Sequence, residues 1–110
     1  MVLLDRVKDR LGAEAVAPDG EQEALERRLR DYIQTVSDRI CLRTGASVLP
    51  QALESVAVDA AVKMYRRFCY EGISSENDGG VSASFVEDVL NEYAVDFEAY
   101  RRSERRVRFL

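Results

Sequence analysis

Apolar residues recur at helical spacing along most of the chain, in four blocks separated by turn-forming segments. In the first block Leu3, Val7 and Leu11 fall four apart, which predicts a helix over roughly residues 2–11 with Gly12 as its stop. Residues 13–18 read as a linker. A second helix is predicted from Asp19, where Gln22 three positions on completes a capping-box pattern. Leu25, Leu29, Tyr32, Ile33, Val36 and Ile40 then form one apolar stripe. Glu26, Arg27, Arg28, Arg30, Asp31, Asp38 and Arg39 lie between them, and Gly45 ends the helix.

The third block differs in kind. Pro50 suits a first helical position. Leu53, Val56, Ala57, Ala60, Ala61, Met64 and Phe68 make one apolar face, while Val58, Val62, Tyr65 and Cys69 make a second. A helix apolar on two sides belongs at the centre of a fold, or serves a core and a subunit interface together. Its small residues Ala57, Ala60 and Ala61 permit close helix approach. The polar strip is narrow: Asp59, Lys63, Arg66 and Arg67, with Asp59 and Lys63 spaced to pair. Gly72 closes the helix, and the loop from Ile73 to Val81 is long and rich in turn residues, so mobility is expected there.

The fourth helix is predicted to begin at Ser82 or Ser84, with Ser84 and Glu87 as a capping box. Val86, Val89, Leu90, Tyr93, Phe97 and Tyr100 supply its apolar face, and Asp88, Glu92 and Asp96 stack on the other. From Arg101 the pattern changes, and the last residues alternate apolar and basic. That predicts an extended tail suited to strand addition on a partner. The expected fold is all-α: a small antiparallel bundle of about four helices over residues 1–100, with a long loop between the third and fourth. An extended tail over 101–110 completes a single domain.

Composition sharpens this picture. In 110 residues, 46% hydrophobic and 33% charged, the balance is that of a globular chain. No apolar run approaches the roughly 18 residues of a membrane span. Asp5, Arg6, Lys8, Asp9 and Arg10 exclude a signal peptide over residues 1–11, which implies synthesis in the cytoplasm. The formal net charge is -4, unevenly spread. Residues 71–98 carry eight acidic side chains and no basic one, whereas residues 99–110 carry five arginines against Glu104. Such segregation fits contacts between copies of the chain, and equally two solvated surfaces of one monomer.

The parts for catalysis are missing. Histidine is absent, which removes the commonest general base and a common metal ligand. Cys41 and Cys69 sit in apolar helical patterns and are expected to be buried thiols. Ser74, Ser75, Ser82 and Ser84 lack an activating base, and Asp78-Gly79-Gly80 lacks the lysine of a phosphate loop. Asp88, Glu92 and Asp96 stand a helical pitch apart, so a solvated face is a better reading than a metal site. No enzyme activity, cofactor or metal is expected. The tail arginines suit phosphates as well as an acidic protein surface.

Several stretches resemble the small head–tail connector proteins of tailed phages, also called DNA-packaging adaptors or head-completion proteins. They are residues 53–62, then Tyr65-Arg66-Arg67, then residues 71–76. Gly79 or Gly80, Ser82 or Ser84, Phe85 and Tyr100-Arg101-Arg102 continue the likeness, and Arg10-Leu11-Gly12 matches near the start. The likeness is weakest over residues 13–45. The loop Asn77-Asp78-Gly79-Gly80-Val81 departs from it, lacking an aromatic residue before the serine.

The resemblance implies a structural, non-catalytic role in the virion. Copies would form a ring, twelvefold by family likeness, between the portal and a downstream stopper or tail-completion protein. The ring would extend the DNA channel after packaging, with DNA passing through without sequence-specific binding. The tail residues Arg101, Arg102, Arg105, Arg106, Val107, Arg108, Phe109 and Leu110 would bind the portal. The loop residues Gly72, Ile73, Ser74, Ser75, Glu76, Asn77, Asp78, Gly79 and Gly80 would face a neighbouring subunit or the channel. The channel wall is expected to be acidic, supplied by the fourth helix or by Glu76 and Asp78. A small helical DNA-binding regulator and a generic protein-interaction module are the alternatives.

Overall fold

The computed structural model describes the backbone of residues 2–70 and 83–108, and the side chains of residues 2–67 and 85–104. All regular structure among the described residues is helical: α1 (Leu3–Leu11), α2 (Gln22–Thr44), α3 (Glu54–Tyr70), α4 (Ala83–Asn91) and α5 (Ala94–Arg108). Two 3₁₀ turns, Gly12–Ala15 and Gln51–Leu53, follow α1 and lead into α3.

The expected stripes form one core. Leu25, Leu29, Tyr32, Val36 and Ile40 of α2 are buried, with Ile33 packed at the margin. In α1 the buried set is Leu4, Val7 and Leu11, and Leu3, expected inside, lies at the edge. The first turn is rotated so that an i, i+3, i+7 face points inward. α3 is central and touches α1, α2 and α4. Ala57, Val58, Ala60, Ala61, Val62, Met64 and Tyr65 are all buried, while Val56 is half-buried. The three alanines let neighbouring helices approach closely enough to enclose both apolar faces.

Gly45 ends α2 as predicted. It takes the left-handed conformation at φ 78°, and its N–H donates to the Cys41 carbonyl at 2.8 Å. The start of α2 differs from expectation. Asp19 does not cap it, and the helix begins at Gln22 with Glu21 preceding it. The Gln22 carboxamide turns back to the linker instead, accepting from the Ala17 N–H at 2.9 Å and donating to the Ala15 carbonyl at 3.0 Å.

The C-terminal third departs most. The predicted fourth helix is two helices, broken at Glu92–Tyr93. Nor is the chain extended from Arg101: α5 continues to Arg108. Arginine, serine and glutamate are all compatible with helix, no glycine or proline intervenes, and basic side chains favour a helix C-terminus. Glu87, expected to reach back to Ser84, pairs with Arg43 and Arg39 of α2. Cys41 is a free thiol but only half-buried, on the flank of the α2 stripe beside Ile40. The side chain of Cys69 lies outside the described residues.

Candidate interaction site

α5 is held unevenly along its length. Phe97 is buried and Tyr100 half-buried, and these fasten its first half against α2 and the Gln51–Leu53 turn. Arg101, Arg102, Ser103 and Glu104 are exposed. The molecule is elongated, 54 × 29 × 19 Å. Burial raises the Tyr100 phenol above its usual pKa, and the negative charge of nearby Glu104 adds to the effect. Arg101 lies 3.9 Å from Glu98 one turn back, a loose solvent-exposed pair.

Two open grooves flank α5 where it departs. One is lined by the loop Thr44–Val48 with Pro50, Tyr100, Arg101 and Glu104. The other is lined by Ala52, Leu53, Val56, Asp96, Ala99, Tyr100 and Ser103. Tyr100 forms part of both.

Of the residues assigned to the tail, Arg101 and Arg102 are thus exposed on a helix. Arg105, Arg106, Val107 and Arg108 continue that helix, with side chains outside the described residues, as are Phe109 and Leu110 entirely. The assigned loop, Gly72 to Gly80, also lies outside the described residues. Near its two ends, the Arg67 guanidinium of α3 sits over the Phe85 ring of α4 at 4.1 Å.

The acidic stripe does not survive as one face. The break at Glu92–Tyr93 separates Asp88 from Asp96 in register, and Glu92 turns to Lys63 of α3 at 2.8 Å. Asp88 and Asp96 remain exposed. No cluster of metal-ligating side chains occurs among the described residues. Lys63 does not pair with Asp59 as its spacing suggested. Asp59 instead receives Arg10 of α1 and, at 3.4 Å, the Tyr93 hydroxyl. The Glu92 bond, followed by the Tyr93 contact, holds the Lys63 ammonium above the usual lysine pKa, so it stays charged.

Arg43 makes a second bridge that sequence reasoning missed. It donates to Glu87 Oε2 at 2.6 Å, to the Glu87 carbonyl at 3.3 Å and to Asn91 Oδ1 at 2.9 Å. Its guanidinium also stands 5.8 Å from the centre of the Phe97 ring. The hydrogen-bonded partners of Lys63 and Arg43 lie 29 to 48 residues away in sequence, and no local pattern announces them. The advance signal is limited to Lys63, a cation in the narrow polar strip of α3.

No helix among the described residues is long and apolar enough to cross a membrane. The sequence profile of the phage gp6-like head-tail connector protein family matches residues 1–101. No curated protein and no solved structure matches the chain.

Proposed function

Because this chain belongs to the phage gp6-like head-tail connector family, a structural family of the phage neck, we propose that its copies assemble as a ring against the portal. The ring, twelvefold in this reading, extends the DNA channel and presents its far side to a stopper or tail-completion protein. DNA passes through without sequence-specific contacts. The loop Gly72–Gly80 meets a neighbouring subunit or the channel.

The observation that carries the portal contact is the form of α5. α5 is held at Phe97 and Tyr100, and beyond them its residues 101–104 are exposed and include Arg101 and Arg102 while the helix runs on to Arg108. Arginines suit bidentate pairing with carboxylates on a partner. A projecting helix docks along a groove, so the tail engages as a helix at least to Arg108 rather than as an added strand. One such arm binds weakly, but a ring presents many together and gains from effective concentration. The acidic channel wall draws on Asp88 and Asp96 rather than on Glu87 and Glu92, whose charges are met by Arg43 and Lys63.

Deleting residues 103–110 tests this reading. The shortened chain is expected to keep its melting transition and to lose only the helical signal of residues 103–108, yet fail to join DNA-free portals in electron micrographs. Normal rings of the shortened chain on DNA-free portals would overturn it. Light scattering on the full-length chain gives the stoichiometry.

A further inference from the structure

The break between α4 and α5 has no local cause. Asn91, Glu92, Tyr93 and Ala94 include neither glycine nor proline, and neither residue occurs anywhere from 81 to 110. Helix breaks and sharp kinks ordinarily trace to such residues or to inserted groups. The apolar positions 86, 89, 90, 93, 97 and 100 also keep helical phase straight through the break. Locally, the sequence specifies one helix.

At the break the backbone changes its bonding. The Glu92 N–H donates to the Val89 carbonyl and the Tyr93 N–H to the Leu90 carbonyl, three residues back rather than four. Side chains from other helices grip both sides. Lys63 of α3 bonds Glu92 and stands 5.0 Å from the Tyr93 ring centre, and Tyr93 donates to Asp59. Arg43 of α2 bonds Glu87 and Asn91 before the break and lies against Phe97 after it. The break is therefore imposed by tertiary contacts.

Those contacts are individually weak. Lys63 and Glu92 are both about half-exposed, and Glu87 is 40% exposed. Beyond them, among the described side chains of α5 only Phe97 is fully within the core.

We propose that the α4–α5 joint is a latched hinge: Lys63 and Arg43 hold it bent in the free chain, and its second state is one continuous α4–α5 helix with α5 released from α2. In that state Glu92 and Tyr93 bond to the carbonyls of Asp88 and Val89. Phe97 and Tyr100 leave the body as part of an uninterrupted apolar stripe, flanked by arginines. Exposure of Phe97 keeps the bent state dominant until a partner covers it. An acidic partner surface that binds the released arm more tightly shifts the equilibrium by that difference. The hinge belongs to the free chain, and its test requires neither ring nor portal.

The experiment follows the Cα chemical shifts of Glu92 and Tyr93, with the far-ultraviolet helix signal, in the free subunit. Two samples are compared with the unaltered chain: the double variant Lys63→Ala/Arg43→Ala, and the unaltered chain at rising salt, which screens the ion pairs. Unlatching is expected to raise the continuous-helix population roughly tenfold in the double variant. Both shifts should move toward helical values in proportion to that population, and the helix signal should rise rather than fall. Unfolding would lower that signal, which separates the two outcomes. If the double variant does not fold, the salt series alone decides. Shifts that stay fixed in every sample that folds would overturn the hinge.

Discussion

α3 and α5 are both amphipathic helices with aromatic or aliphatic side chains at regular spacing, yet they are held in different ways. α3 is enclosed on two sides, and seven consecutive-turn residues between Ala57 and Tyr65 have almost no contact with solvent. α5 is held at Phe97, partly at Tyr100, and through the Lys63 and Arg43 contacts at the joint that precedes it. The lesson is that helix formation and helix anchoring are separate properties. α3 derives its position from burial, which is non-directional and hard to undo. α5 derives its position from one ring and several half-exposed charges, which other charges can replace.

The largest expected effect tests the α3 side of this contrast. Met64 is 1% exposed and belongs to the single core that α3 shares with α1 and α2. Met64→Ala should cost about 2–5 kcal/mol, because rigid neighbours on two sides cannot close the cavity. Urea denaturation measures it. A loss under about 1 kcal/mol would show that α3 is more loosely packed than its burial implies.

Phe97 is nearly as buried, at 4%, but sits on the weakly anchored helix. Truncating a phenylalanine in a rigid core costs about 3–5 kcal/mol. Phe97→Ala is expected to cost less, about 1.5–3 kcal/mol, because α5 can swing away instead of leaving a void. Amide exchange in α5 should quicken strongly while α3 exchange follows global unfolding. A cost equal to that of a core phenylalanine, with α3 and α5 exchanging together, would erase the distinction between the helices.

The same contrast explains what the sequence disclosed. Burial leaves a period in the chain, so the stripes of α2 and both faces of α3 were legible, down to Leu29, Val36, Ala60 and Met64. Tertiary polar contacts leave none. Nothing near Glu92 or Tyr93 indicates a break, because its cause lies at Lys63 and Arg43, far away in the chain. The start of α2 was misplaced for a related reason: Gln22 can serve a cap or a linker, and here it serves the linker. The alternation in the last residues predicts an extended tail, but the helix-compatible run Arg101-Arg102-Ser103-Glu104-Arg105-Arg106 carries α5 to Arg108. The profile match confirms the family but says nothing of the joint.

The smallest effect concerns polar contacts on the well-anchored side, where α1 meets α2. Lys8 lies 3.1 Å from Glu26, and the Gln22 carboxamide donates to the same carboxylate oxygen at 3.1 Å. The Gln22 bond chiefly, and Lys8 after it, hold the Glu26 carboxyl below its usual pKa of 4.5. A carboxyl lowered by folding stabilises the native state at any pH above its unfolded value. That contribution disappears as the pH falls through the lower, folded value. Glu26→Gln should therefore melt slightly below the unaltered chain at neutral pH, and the gap should close on acidification below about 4.5. Paired thermal melts across that range measure it. If the gap stays constant in acid, the loss comes from packing or from the altered hydrogen bond with Gln22 rather than from charge. If the gap at neutral pH approaches that of Met64→Ala, polar contacts at the α1–α2 seam anchor as strongly as burial, and the division drawn between α3 and α5 would not extend to the rest of the molecule.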